Sequence, residues 1–261
     1  MIERAYAMIK VTTEGPVATF TLNNPARKNA IGPAMVNELL HALGDAQSDD
    51  AVRAIVITGA GDAFCAGGDF AQMTGGAGAD ALPPKGDYAD LLLAMTQATK
   101  PIVARVNGHA MGGGLGLVAA SHFAVGARGA KLGTPEVNVG LFPMMIMAVL
   151  QRVVPRRRLL EMMLFGERME ADEAAAIGLL GKAVDAGELD AAVKRITDTI
   201  ADKSPITIKI GLSAFAAQDD LDLETALPLL REQLGACLAT DDAREGLMAF
   251  LQKRKPVWTG K

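Results

Sequence analysis

Two glycine-rich segments and one glutamate are the residues of this chain best suited to chemistry. The first segment is Ala63-Phe64-Cys65-Ala66-Gly67-Gly68-Asp69-Phe70, which follows the apolar run Ala54–Thr58 (AIVIT). The second, Gly108-His109-Ala110-Met111-Gly112-Gly113-Gly114-Leu115-Gly116, follows Ile102–Val106 (IVARV) and leads into an Ala-rich helical run. A strand that ends in a small-residue loop exposes backbone N–H groups at the sheet edge, where they can hold an anion or a developing oxyanion. Two such edges can place two donors around one oxygen, and losing one donor costs about 3 kcal/mol of transition-state stabilisation. Either segment alone also reads as an ordinary tight turn. The glutamate is Glu136, between Pro135 and Val137. A carboxylate in apolar surroundings has its pKa raised by desolvation and can act as acid or base. Taken alone, Glu136 also reads as a loop residue capping the helix that follows.

The run Gly114-Leu115-Gly116-Leu117-Val118-Ala119 fits the dinucleotide fingerprint G-x-G-x-x-A, and Glu136 stands 20 residues after Gly116. The context argues against a dehydrogenase. Asn107 to Met111 separate the strand from the glycines, whereas the fingerprint needs glycines at the strand's end. Glu136 follows a proline and does not end an apolar strand.

The elements that must position these residues are partly legible. Met8–Val11 and Val17–Leu22 predict a hairpin turning at Glu14-Gly15-Pro16. Asn29–Ala46 has helical periodicity, with Met35, Leu39, Leu40 and Leu43 on one face. AIVIT and IVARV predict buried strands, and Phe123–Val125 and Lys131–Leu132 shorter ones. Thr74–Gly86 reads as a surface loop of the kind that is often functional. From Pro143 the pattern turns helical. Pro155 is expected to end one helix, and Gly178 and Gly181 a shorter one near Asp172–Ile177. Further helices are expected over Glu188–Ala201, Ile206–Ala217, Asp222–Leu238 and Asp241–Gln252. This suggests an α/β core over residues 1–200 and a helical region over 201–261.

Composition narrows the function. Half of the 261 residues are apolar but only 4% are aromatic, so the core must use Ala, Val, Leu, Ile and Met. The net charge of −4 argues against a general nucleic-acid partner. Cys65 and Cys237 are too few for a disulfide framework, which favours a reducing cytoplasm. The N-terminal segment lacks a signal-peptide core, and the most apolar run, Leu141–Leu150, is about half of the ~20 residues a membrane span needs. A soluble cytoplasmic protein is expected. His41, His109 and His122 have no metal-ligand spacing, so no metal is expected. His109 either packs or touches a ligand. Cys65 reads as small and buried, Arg156–Arg158 as a solvated helix face, and Met144, Met145 and Met147 as core or as part of a pliable acyl pocket. The C-terminal KRKPVWTGK reads as a solvated tail or a local anion-binding patch.

In order and spacing, the blocks LNNPARKNAIGPAMVNEL, AIVITGAGDAFCAGGDF, KPIVARVNGHAMGGG, FGERMEADEAAAIGLLGKAV and DDAREGLMAFLQKRKP resemble the crotonase superfamily, the enoyl-CoA hydratase/isomerase family. The resemblance covers nearly the whole chain. It implies an α/β fold, the crotonase (ClpP-like) spiral of ββα units with a helical C-terminal trimerisation region, in which trimers commonly pair into hexamers. It implies an acyl-CoA substrate whose thioester carbonyl lies between the N–H groups of Gly68 and Gly113, with Glu136 as the acid/base. Coenzyme A is then part of the substrate, and no metal or redox cofactor is implied. Ala66 and Phe70 would contact the adenine, Arg27 and Lys28 the phosphates, and Lys253 and Lys255 would add contacts from a neighbouring subunit. The Met-rich segment 144–147 and the loop 74–86 would shape the acyl pocket.

One departure bears on the reaction. Hydratases of the family typically carry two glutamates, and the first sits two residues after the third glycine. Here that position is Gly116, so only Glu136 remains, and Asp69 is a poorly placed substitute. One carboxylate suffices to carry a proton from C2 to C4, which favours double-bond isomerisation. Hydration by an atypical one-glutamate site is the alternative, and a non-catalytic CoA-binding trimeric scaffold a third reading. If the missing acid limits hydration, Gly116→Glu should raise it.

Overall fold

The computed structural model describes residues 4–69 and 82–261. Phe70 and the greater part of the Thr74–Gly86 loop lie outside the described residues.

The chain opens with strands β1 (Ile9–Glu14) and β2 (Val17–Leu22), an antiparallel hairpin that turns at Gly15 with φ +54°. Helix α1 (Pro33–Ser48) packs on it. Its buried Glu38 carboxylate accepts the N–H groups of Ala7, Met8 and Ile9 at 2.8–3.0 Å, which ties the start of β1 to the helix. Then come β3 (Ala54–Gly59), β4 (Ala63–Cys65), α2 (Tyr88–Thr96), β5 (Ile102–Val106), β6 (His109–Met111) and α3 (Gly113–Ala119). Next are β7 (Phe123–Ala127), β8 (Lys131–Gly133), α4 (Met144–Leu150), α5 (Arg156–Phe165), β9 (Arg168–Glu170), α6 (Ala171–Ala176) and β10 (Lys182–Val184). Helices α7 (Leu189–Ala201), α8 (Pro205–Gln218), α9 (Leu223–Leu238) and α10 (Asp241–Leu251) complete the described chain.

The strands form two sheets, β1-β2-β3-β5-β7-β10 and β4-β6-β8-β9. Each pass places one strand in the large sheet and the next in the small sheet: β3 then β4, β5 then β6, β7 then β8. All these neighbours within a sheet are parallel, and a helix returns the chain after each of the first two passes. The result is a spiral of ββα units. It keeps β3 buried on both faces, as parallel strands require. Alternation along the strands sends Ile55, Ile57, Ile102 and Ala104 to the larger core with α1, while Val56, Val103 and Val125 meet Leu189 and Val193 of α7.

Three local expectations are corrected. Helix α1 starts at Pro33, four residues later than the periodicity suggests, because Asn29 has a left-handed backbone (φ +56°). Its buried side chain accepts from the Asn24 N–H at 3.0 Å and donates to the carbonyls of Ala60 and Ala63 at 2.8 and 2.9 Å. Second, Pro155 begins a helix rather than ending one: α4 stops at Leu150 and Pro155 caps α5. Third, Met144 and Met145 are exposed, since the inner face of α4 is Ile146, Val149 and Leu150. Because Asn29 joins three backbone groups across two loops, Asn29→Ala should lower the unfolding free energy by about 2–4 kcal/mol in urea titration, at about 1 kcal/mol or more per group left unpaired.

Helices α8, α9 and α10 pack on one another and expose Phe215, Leu223, Leu227, Leu234, Leu247 and Phe250. The chain end is fastened rather than a free tail. Buried Asp242 accepts from Ser204 Oγ and from the N–H groups of Thr259 and Gly260, and Trp258 Nε1 donates to the Asp202 carbonyl. Arg254 is paired with Glu245, which removes one cation from the expected anion patch. Among the described residues no helix is long and apolar enough to cross a membrane.

Candidate functional site

The site forms at the end of the small sheet. Strand β4 stops at Cys65, and Gly67 then takes φ +107°, open chiefly to glycine. The Ile31 N–H donates to the Gly67 carbonyl and the Asp69 N–H donates to the Ile31 carbonyl, each at 2.8 Å. This parallel bridge uses the groups on either side of Gly68 and turns its own N–H away from Ile31. In the second loop Gly112 (φ +48°, ψ −121°) donates its N–H to Gly133 at 3.0 Å, and α3 begins at Gly113. A first-turn N–H has no intrahelical acceptor. Among the described residues neither the Gly68 nor the Gly113 N–H donates to a protein acceptor.

The two loops touch. A Cβ on Gly67 would lie 3.4 Å from the Met111 carbonyl oxygen, and one on Gly112 would lie 3.6 Å from the Gly67 Cα. Gly68 and Gly113 are the next residue of each loop. The third glycine of the run, Gly114, seats α3 directly on β4, since a Cβ there would be 2.5 Å from that of Cys65. Cys65 is buried, and desolvation pushes its thiol up to about 11, so it is a packing residue as expected.

Glu136 belongs to the short 3₁₀ turn Pro135–Val139. The buried Thr134 hydroxyl donates to the Met162 carbonyl at 2.9 Å and Asn138 Nδ2 to that of Gly166 at 3.2 Å, which holds the turn against α5. Glu136 Oε1 would be 2.7 Å from a Cβ on Gly112, so the carboxyl group lies beside the second glycine loop. Its Oε2 is buried without a hydrogen-bond partner. Desolvation raises the Glu136 pKa above the usual carboxylate value.

The place beside Gly116 is not vacant. A Cβ on Gly116 would collide with the Tyr88 hydroxyl and stand 2.5 Å from Ile146 Cγ2. Tyr88 is the first residue of α2, capped by Asp87, which accepts the N–H groups of Ala89 and Asp90. The Tyr88 hydroxyl donates to the Gly113 carbonyl. Burial, reinforced by Cys65 and Glu136, holds the phenol pKa well above its usual value. This corrects the expectation for Gly116→Glu, since that side chain has no room while Tyr88 and Ile146 stay in place. Sequence reasoning missed Tyr88; the capping box Asp87-Tyr88-Ala89-Asp90 is the signal that would have placed a tyrosine in a helical first turn.

The remaining candidates fall into two groups. Arg27, Lys28 and Ala66 come together: the Ala66 N–H donates to the Lys28 carbonyl at 2.9 Å, and both residues are exposed. The half-exposed Arg27 guanidinium pairs at 2.9 Å with the fully buried Asp69 carboxylate. Asp69 is thus tied into the fold rather than free to act as a base. Phe70 lies outside the described residues. Lys253 (φ +54°) and Lys255 are exposed just beyond α10, in the C-terminal helical part. His109 is exposed, and its Nδ1 accepts the Lys131 N–H at 3.0 Å, which ties β6 to β8 rather than packing in the core.

A ββα spiral whose small sheet brings two glycine loops under one carboxylate is the crotonase fold. The chain matches the family model Enoyl-CoA hydratase/isomerase over residues 12–261 and belongs to that family. It is 36% identical over 245 residues to enoyl-CoA hydratase domain-containing protein 3, mitochondrial, of Rattus norvegicus, covering 93% of this chain and 81% of that protein. It is 34% identical over 258 residues to the probable enoyl-CoA hydratase of Bacillus subtilis (strain 168), covering 97% and 99%. Among solved structures it resembles an enoyl-CoA hydratase of Mycobacterium smegmatis, with a TM-score of 0.89 at 32% identity, covering 97% of this chain and 99% of that one.

Proposed function

We propose that this enzyme isomerises the double bond of enoyl-CoA thioesters, using Glu136 as its one proton carrier. The observation behind this reading is the Glu136 carboxyl group, with a buried, unpartnered Oε2, beside the glycine loops whose Gly68 and Gly113 N–H groups meet no protein acceptor among the described residues. In a 3-enoyl-CoA the Glu136 carboxylate takes a proton from C2. The C–H electron pair moves into the C1–C2 bond, and the negative charge reaches the thioester oxygen, which the N–H groups of Gly68 and Gly113 stabilise. Return of the proton from Glu136 to C4 uses the C3–C4 π electrons. A C2–C3 double bond forms and the carbonyl is restored. Proton and electrons balance, so this route calls for no metal or redox cofactor, and coenzyme A enters with the substrate. Ala66 and Phe70 would meet its adenine and Arg27 and Lys28 its phosphates.

Hydration of 2-enoyl-CoA is the second reading, and it is favoured by the names of the relatives. It needs one group to take a proton from water and one to protonate C2, and Glu136 would have to serve both. The two are separated by measuring isomerisation of 3-enoyl-CoA and hydration of 2-enoyl-CoA on the same preparation. Isomerisation is expected to be the faster. A reversed order would select the hydratase, and the absence of both would select a CoA-binding scaffold.

The exposed apolar faces of α8–α10 would supply subunit contacts of a homotrimer or a dimer of trimers, with Lys253 of a neighbouring subunit near the CoA. Light scattering should give the mass of three or six 27.2 kDa chains; a monomer mass would remove this assignment. The free Cys65 and Cys237 fit a cytoplasmic setting.

A further inference from the structure

Tyr88 is a titratable side chain that the proposed reaction does not use, yet it stands inside the site. It comes from α2, a different element from either glycine loop. Its hydroxyl meets the space above Gly116, and its Oη and Cζ would each be 3.6 Å from a Cβ on Gly113. Ile146 of α4 closes the same space from another side, at 2.5 Å from a Gly116 Cβ. The one hydroxyl proton is donated to the Gly113 carbonyl. What remains is a neutral ring with an acceptor oxygen, and such a group cannot take a proton from water.

We infer that Tyr88, backed by Ile146, is the specificity-determining residue of this site: it fills the place beside Gly116 where a second carboxylate and its water would stand, and so confines Glu136 to moving protons between carbons. This rests on the reading of Glu136 as the proton carrier. Two kinds of group could fill such a place, an acid that works or a plug that excludes. Geometry selects the plug, because the phenol proton is already committed and a β-carbon on Gly116 has no room. The atom that meets a Gly116 β-carbon is the Tyr88 hydroxyl oxygen, so the full length of the side chain, ring and hydroxyl together, fills the place.

The test is the ratio of 2-enoyl-CoA hydration to 3-enoyl-CoA isomerisation, measured together with deuterium uptake at C2 in D₂O. Tyr88→Ser should raise the ratio by about tenfold, the scale on which small changes in pocket volume act. Tyr88→Phe removes only the oxygen nearest Gly116 and should raise the ratio by less than Tyr88→Ser. Ile146→Ala opens the same place without disturbing α2 and should move the ratio in the same direction as Tyr88→Ser, which keeps the test open if that variant does not fold. An unchanged ratio in the folded opening variants, with deuterium uptake still dependent on Glu136, overturns the inference alone. So does a ratio that rises further in Tyr88→Phe than in Tyr88→Ser, since the smaller opening would then admit more water. If uptake is indifferent to Glu136→Gln, the one-carboxylate reading falls and takes this inference with it.

Discussion

Glu136→Gln should slow exchange of the C2 protons of an acyl-CoA by about 10²–10⁴-fold, the usual contribution of a positioned acid/base. Glutamine is nearly the same size and leaves the Gly112 contact and the N–H groups of Gly68 and Gly113 in place. Acyl-CoA binding should therefore survive, and the loss should appear in kcat. The pH dependence supplies a second readout. Desolvation holds the Glu136 carboxyl above its ordinary value of 4.5, and the proposed mechanism works through the carboxylate. Exchange should fall as pH drops through the raised pKa, so the acid limb lies above pH 4.5, and the glutamine variant should lack it. The same shift acts on stability. The folded state binds this proton more tightly than the unfolded chain, so its contribution is present below pH 4.5 and is lost as pH rises through the folded pKa. Exchange unaffected by the substitution would remove Glu136 from the mechanism.

Gly112→Ala should impair both folding and catalysis. At φ +48° and ψ −121° an alanine is strained by about 1–3 kcal/mol. Its β-carbon would also lie 2.7 Å from Glu136 Oε1, so the carboxyl group must move to admit it. The melting temperature should drop by about 2–4 °C per kcal/mol lost, and C2 exchange should fall further than the stability loss explains. A variant that melts lower but exchanges normally would show that the position of Glu136 relative to Gly112 does not matter to the reaction.

The long elements were legible because their signals are local. AIVIT and IVARV are continuous apolar runs, and they became central parallel strands buried on both faces. The hairpin turn at Gly15 and the boundaries of α7 to α10 followed from turn chemistry and helical periodicity. Of the short strands of the small sheet only β8 was legible, at Lys131–Leu132; β4, β6 and β9 were not. Three residues such as Ala63–Cys65 carry no period, and their pairing is fixed only when the spiral brings β4, β6, β8 and β9 together. Asn29 misled for a related reason: its left-handed backbone is dictated by carbonyls in a distant loop. The motif positions of Gly68, Gly113 and Glu136 came from the order of blocks along the chain, and geometry alone shows that the loops touch. Tyr88 was invisible because its role depends on an absent side chain at Gly116, 28 residues further along.

The seating of α3 on β4 through Gly114 has a consequence for how this enzyme can change. The groups proposed to hold the anion are main-chain atoms, positioned in part by one helix resting on one strand. Apart from proline, which has no N–H, no residue placed at Gly68 or Gly113 removes these donors as such, although added bulk can displace them. The groups around them, Glu136, Tyr88 and Ile146, come from three other elements and are replaceable one at a time. In the proposed mechanism chemistry is divided between a backbone frame and an interchangeable set of side chains, and new reactions on this scaffold would arise by altering the set while the frame stays constant.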